Sequence, residues 1–192
     1  MTELETHQIT DAREMRALAH PLRLRLIGLL RIDGPATASA LAAAVGVTPA
    51  LASYHLRQLG RYGFVVEDPE LARDGRERWW RAAQARTSWD SAAFLDTPDR
   101  IAALSSLHRE QFLAYQARLE QHLHDVAALD ADWVAATNHS DYILELDADG
   151  LRALNAELDA LVERYRTDPP RAAAPTKTIT VIVHSFPRPE GL

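Results

Sequence analysis

The chain contains no cysteine and a single lysine, Lys177, among its 192 residues. The first absence excludes disulfides, thiolate metal sites, iron–sulfur clusters and cysteine nucleophiles together. Long apolar runs are missing as well, none approaching the ~20 residues that a membrane helix needs. The opening stretch MTELETHQITDARE is acidic and polar and holds no signal-peptide core. A soluble, cytoplasmic protein without a membrane partner is therefore expected. Catalytic signatures are also lacking: there is no Gly-rich phosphate loop, no Gly-x-Ser-x-Gly and no His-Glu-x-x-His. Asp130-Ala131-Asp132 and Asp147-Ala148-Asp149 resemble paired acids, but helix capping accounts for them. The chain reads as a non-enzyme.

What is present is ordinary globular material, 47% hydrophobic and 25% charged, enough for one large domain or two small ones. The charge is unevenly spread. Residues 1–95 carry 12 Arg against 11 Asp and Glu, a net +1, whereas residues 96–192 carry 9 Lys and Arg against 16 acids, a net −7. The acidic half is a poor partner for a polyanion. The preference for Arg and Ala fits a GC-rich genome better than selection for phosphate contacts.

Local signals divide the first half into short helices. Residues 11–19 form one, with Met15 and Leu18 on a shared face. Pro21 opens the next, whose Leu22, Leu26, Leu29 and Leu30 make a buried stripe opposite Arg23, Arg25 and Arg31. Asp33-Gly34-Pro35 ends it. Thr37 can cap a third helix over residues 38–45, and Gly46 stands where a left-handed residue must close it. Thr48-Pro49 follows as a cap and first-turn proline, opening a helix over residues 49–61 that buries Ala52, Leu56 and Leu59. Two short helices joined by a tight Gly-containing turn are the helix-turn-helix pattern. Residues 64–67 and 77–81 then read as two strands around a polar loop, which makes a wing. Trp79 and Trp80 alternate across the second strand, so one faces the core and one faces out.

The segments LAHPLRLRLIGLL, TASALAAAVGVTPALASYHLRQLGRYGFV and GRERWWR together resemble the ArsR-type winged helix-turn-helix transcriptional regulators, over about residues 11–82. The most specific element is SYHLRQL at residues 53–59, followed by Gly63-Phe64-Val65. The resemblance implies a bacterial-type regulator, a repressor, that binds double-stranded DNA. Helical geometry points to the same surface. With positions 52, 56 and 59 buried, Ala50, Ser53 and Tyr54 lie on the outer face near the helix start, in reach of base edges in a major groove. In the family, the matching positions are typical DNA contacts. Thr48, Arg57 and Gln58 extend the set, and Arg76 and Arg78 on the wing are placed for the minor groove or the backbone. His55 reads equally as a phosphate contact or as a packing residue.

In the second half, Asp96-Thr97-Pro98-Asp99 starts a helix that runs without Gly or Pro to about residue 130. At ~1.5 Å per residue it spans about 45–50 Å. Such a helix cannot bury its stripe inside a small winged domain, so Leu104, Phe112, Tyr115, Leu119, Leu123 and Val126 are expected at a homodimer interface. Residues 142–146 read as a strand, Asp147 caps an amphipathic helix, and residues 178–184 (TITVIVH) read as a second strand. The expected fold is mainly α with small β elements. Residues 1–95 make a winged helix-turn-helix DNA-binding domain, and residues 96–192 hold the long dimerisation helix and a strand–helix–strand unit.

Two matters stay open at this stage. Tyr142, Leu144, Leu146, Ile179, Val181 and Val183 either line a pocket for a small-molecule effector or widen the dimer core. The rival function is a winged-helix protein–protein interaction module, since fold alone does not set function. Metal sensing, common in the resembling family, is not carried over. His108-Arg109-Glu110 inverts the family's Asp-x-His, and His122-Leu123-His124-Asp125 follows at a spacing one residue too long. Neither metal nor cofactor is expected.

Overall fold

The computed structural model describes residues 6–72, 77–172 and 174–188, and the chain forms two units, residues 1–127 and 128–192. The first unit begins with β1 (Thr6–Gln8) and α1 (Ala12–Leu18). There follow α2 (Pro21–Ile32), the two-residue β2 (Ala36–Thr37), α3 (Ala38–Val45) and α4 (Pro49–Arg61). Then come β3 (Val65–Glu67), β4 (Trp79–Ala82), β5 (Arg86–Ser88) and the long α5 (Pro98–Asp125), which tightens into a 3-10 turn at Val126–Ala128.

The capping residues perform as their chemistry requires. Thr37 Oγ1 accepts from the Ala40 N–H at 3.2 Å, Thr48 Oγ1 from Leu51 at 3.3 Å and Thr97 Oγ1 from Arg100 at 3.4 Å. Each such cap is worth about 1 kcal/mol. Gly46 closes α3 at φ 72°, ψ 38°, a left-handed conformation in which a Cβ would be strained. That turn sends the chain directly into Thr48 and Pro49, and the axes of α3 and α4 bend by 110°. The angle is that of a helix-turn-helix.

The wing is the antiparallel pair β3–β4, with Val65 opposite Ala82 and Glu67 opposite Trp80. Its other edge is covered by β2, giving the order β2-β4-β3. Trp80 is the buried member of the tryptophan pair, and a Cβ placed on Gly60 of α4 would lie 3.4 Å from its ring. A second, two-stranded sheet is formed by β1 and β5 in parallel, Thr6 opposite Arg86 and Gln8 opposite Ser88. No local pattern in the acidic N-terminal stretch announces it, because the ladder joins residues far apart in sequence.

One core holds this unit together. Met15 of α1, Leu26 of α2, Leu56 and Leu59 of α4, Phe64 and Leu107 of α5 are completely shielded from solvent. Burying each such side chain contributes roughly 1.5–3 kcal/mol. Ile27 takes a place in the α2 stripe, while Leu29 is only partly covered. At the edge of the core, Arg31 donates to Thr87 Oγ1 at 2.7 Å and to the Gln84 carbonyl at 3.2 Å, tying α2 to β5. Leu104, with Ala103 and Leu107, is buried in the same core. Its apolar partners therefore lie within its own chain, not across an interface. From Phe112 onward the α5 side chains emerge.

The second unit contains α6 (Ala131–Ala136) and α7 (Ala148–Thr167), the latter capped by Asp147 Oδ1, which accepts from the Gly150 N–H at 2.8 Å. Among the described residues of this unit none is buried. The strand–helix–strand expectation holds for its helix and needs correction on either side. Residues 142–146 and 178–184 belong to no ladder among the described residues. A strand needs a partner for its backbone groups, and high β propensity alone supplies none. Tyr142, Leu144, Leu146, Ile179, Val181 and Val183 are each at least half exposed. No single helix among the described residues is long and apolar enough to cross a membrane.

Two histidines are built into the helix-turn-helix core. His20 caps α2, its Nδ1 accepting from the Leu22 N–H at 3.1 Å, so that nitrogen must be unprotonated. His55 of α4 is buried and packs its ring 4.4 Å from that of His20. Burial holds the His20 imidazole below its ordinary value of about 6.5; the Arg23 charge adds to this, while Glu110 opposes it. Burial likewise lowers His55, assisted by His20 and Arg23. A group held neutral in the fold and free to protonate when unfolded contributes stability that is full above about pH 6.5 and is lost progressively as the pH falls below it. The thermal midpoint is therefore expected to drop between about pH 7 and pH 5. His55→Leu should shrink that drop. Circular-dichroism melts across this range check it, and an equal drop in wild type and variant would place the acid sensitivity elsewhere.

Candidate nucleic-acid interface

The outer face of α4 is set by what its inner face buries. Ala52, His55, Leu56 and Leu59 point into the core, so positions 50, 53, 54, 57 and 61 point away from it. Ala50, Tyr54 and Arg57 are exposed, while Ser53 and Gln58 are half-buried on the same side. Thr48 stands exposed at the start of the helix, its hydroxyl engaged as the cap. The first two turns of α4 therefore present a hydroxyl, a methyl and a phenol side by side, and an arginine follows. Ser53 and Tyr54 can donate to or accept from base edges, and Ala50 can meet a thymine methyl.

His55 falls on the packing side of the two readings open to it. Its side chain is buried, and its ring contacts Tyr54 edge-on at 5.1 Å as well as His20. It supports the pose of Tyr54 and is not available to a phosphate.

An open groove of about 600 Å³ runs between α4 and the wing. Tyr54, Arg57, Gln58 and Arg61 line one wall, and Glu67 and Arg78 stand on the other. Arg61 and Glu67 did not emerge as site residues from the sequence. Arg61 had a usable signal: it lies seven residues after Tyr54 and four after Arg57, on one helical stripe. Glu67 had none, because an acid on a short strand says nothing of which groove it borders. Arg78 reaches across the strands, its Nη1 3.1 Å from Glu67 Oε1. One position further along β3, Asp68 Oδ2 lies 3.5 Å from Arg81 Nε. Arg76, the remaining wing residue expected at the interface, lies outside the described residues.

On α5, the stripe residues Phe112, Leu119 and Leu123 are exposed, joined by Leu113, while Tyr115 and Val126 are half-covered. His122 and Asp125 are the pair considered for a metal. Among the described residues no three His, Asp or Glu side chains are grouped so as to hold an ion.

Three properties coincide at the groove: a helix whose first two turns offer small polar and aromatic side chains, a flanking row of guanidinium groups, and a two-stranded arm beside it. In shape and charge these are features that a nucleic-acid groove and its backbone would complement. Comparison with known proteins gives one match and one blank. No curated protein matches the chain. Residues 18–68, from the end of α1 through α2, α3 and α4 to just past β3, match a family described as a helix-turn-helix domain, a match that suggests a DNA-binding regulator.

Proposed function

We propose that the protein is a sequence-specific, double-stranded DNA-binding transcriptional regulator that acts as a homodimer, in the repressing sense that the ArsR-type resemblance implies. The observation that carries this reading is the groove: Tyr54 and the arginines of α4 and the wing converge on one concave surface. In this reading α4 enters the major groove. Ala50, Ser53 and Tyr54 face base edges there, while Arg57, Arg61 and Arg78 take phosphates. The modest positive balance of the first half, net +1, means that attraction comes from these few residues and not from a basic surface at large.

Dimerisation is supported by α5. Its Ala103, Leu104 and Leu107 are consumed by the core, which leaves Phe112, Leu119 and Leu123 at i, i+7 and i+11 without cover. Large apolar side chains at that spacing form a seam along one side of a helix. Two α4 helices held by paired α5 helices would address half-sites about 10 bp apart, or a multiple of it.

Gel shifts with genomic fragments between about 50 and 200 mM salt test the DNA reading, since neutralised phosphates make affinity fall steeply with salt. An absent or salt-insensitive shift would favour the protein–protein module. Within the DNA reading, Ser53→Ala or Tyr54→Ala is expected to cost ~1–3 kcal/mol on the specific site and little on random duplex. Arg57→Ala should weaken both alike. Equal losses for Tyr54→Ala on the two duplexes would remove it from base readout.

The α5 seam is tested by Leu119→Glu and Leu123→Glu, each of which would leave a carboxylate unpaired in an apolar contact. Both variants are expected to run as monomers in light scattering at concentrations where the wild type is a dimer. An unchanged mass would locate the dimer contact elsewhere.

A further inference from the structure

The wall of the DNA-facing groove carries one group of the wrong sign. Glu67, the last residue of β3, lines it opposite Arg57 and Arg61, and its carboxylate is paired with Arg78 at 3.1 Å. A carboxylate in a phosphate-binding groove repels the ligand and occupies the cation meant for it. Structural need does not account for the pair. Both side chains are well exposed, Arg78 at 66% and Glu67 at 47%, and exposed pairs of this kind contribute little to stability. The hairpin is held instead by its ladder and by buried Trp80. Being weak, the pair can be traded. Phosphate offers Arg78 a charge-assisted, bidentate partner of the same geometry as a carboxylate.

We propose that Glu67 is a built-in competitor for DNA phosphate at Arg78, so that the wing docks by exchanging a carboxylate for a phosphate. This rests on the DNA-binding reading and adds a specific regulation of that site. The exchange sets a threshold: random duplex that only grazes the wing does not displace Glu67, while a fully docked operator does. Glu67 therefore lowers affinity for all DNA and lowers it most where docking is incomplete.

Salt-titrated fluorescence anisotropy with the full-length chain on a mixed-sequence duplex tests this, using wild type, Glu67→Gln, Arg78→Ala, the double variant and Asp68→Asn. Glu67→Gln should bind about three- to tenfold tighter, as expected from freeing one exposed ion pair and removing one repelling charge. Its salt dependence should steepen by roughly one phosphate contact. In the Arg78→Ala background most of that gain should vanish. Asp68→Asn, which neutralises the neighbouring acid that does not line the groove, should bind as wild type does. Thermal melts of Glu67→Gln matching wild type would confirm that affinity changes and not folding. The proposal is overturned if Glu67→Gln binds like wild type. It is equally overturned if the gain is undiminished without Arg78, or if Asp68→Asn reproduces it, because long-range charge removal then suffices. A wild type that binds no duplex at any salt would instead overturn the DNA reading, and the exchange with it.

Discussion

Everything at the candidate interface depends on how the inner face of α4 is seated. Ala52, Leu56 and Leu59 are shielded completely and His55 almost so. Successive helical residues are ~100° apart, so turning α4 by one position would bring Leu59 to the surface and carry Arg57 into the core. The core therefore selects which side chains face outward, without any contribution from the outward face itself. The wing inherits its place from the same packing. Trp80 of β4 lies against Gly60 near the end of α4, at a distance that leaves little room for a side chain there. α4 and the wing are thus referred to one another through the core, and the groove between them is a consequence of that packing.

Charge has a subordinate and more local part. A surface with a net charge near zero draws DNA weakly from a distance, so orientation depends on a few guanidinium groups at short range. Two of the wing's arginines, Arg78 and Arg81, are shared with carboxylates of the neighbouring strand. Arg57 and Arg61 on α4 carry no ion pair among the described residues. The helix is therefore the more strongly cationic wall of the groove, and the hairpin is closer to neutral.

Much of the fold was legible because its signals are local. Thr37, Thr48, Thr97 and Asp147 cap helices where a short polar side chain precedes an apolar period, and Gly46 closes α3 where only a left-handed residue fits. The outer face of α4 could be read from three buried positions by geometry alone. What escaped was non-local. The β1–β5 ladder joins segments with no strand signal of their own. Leu104 has the same period as Phe112, and only the packing of α1 on α5 decides that one is core and the other surface. The segments at 142–146 and 178–184 differ in the opposite sense, since composition promised strands that no ladder among the described residues completes. Glu67 could not be recognised as a groove residue before the hairpin was placed beside α4.

The β1–β5 ladder has a consequence for the order in which the chain acquires its structure. Thr6–Gln8 pairs with Arg86–Ser88, and His7 lays its ring 4.6 Å from that of the buried Phe64. During synthesis β1 is made about eighty residues before β5 and has no partner until β5 follows. The helices between them need only near neighbours and can settle early, whereas closing so long a loop carries an entropic cost that is recovered only when both ends meet. β1 is accordingly among the last elements of this unit to find its place. Until then the side of the core beneath it, with Phe64 at its centre, stands open to water and to other unfinished chains.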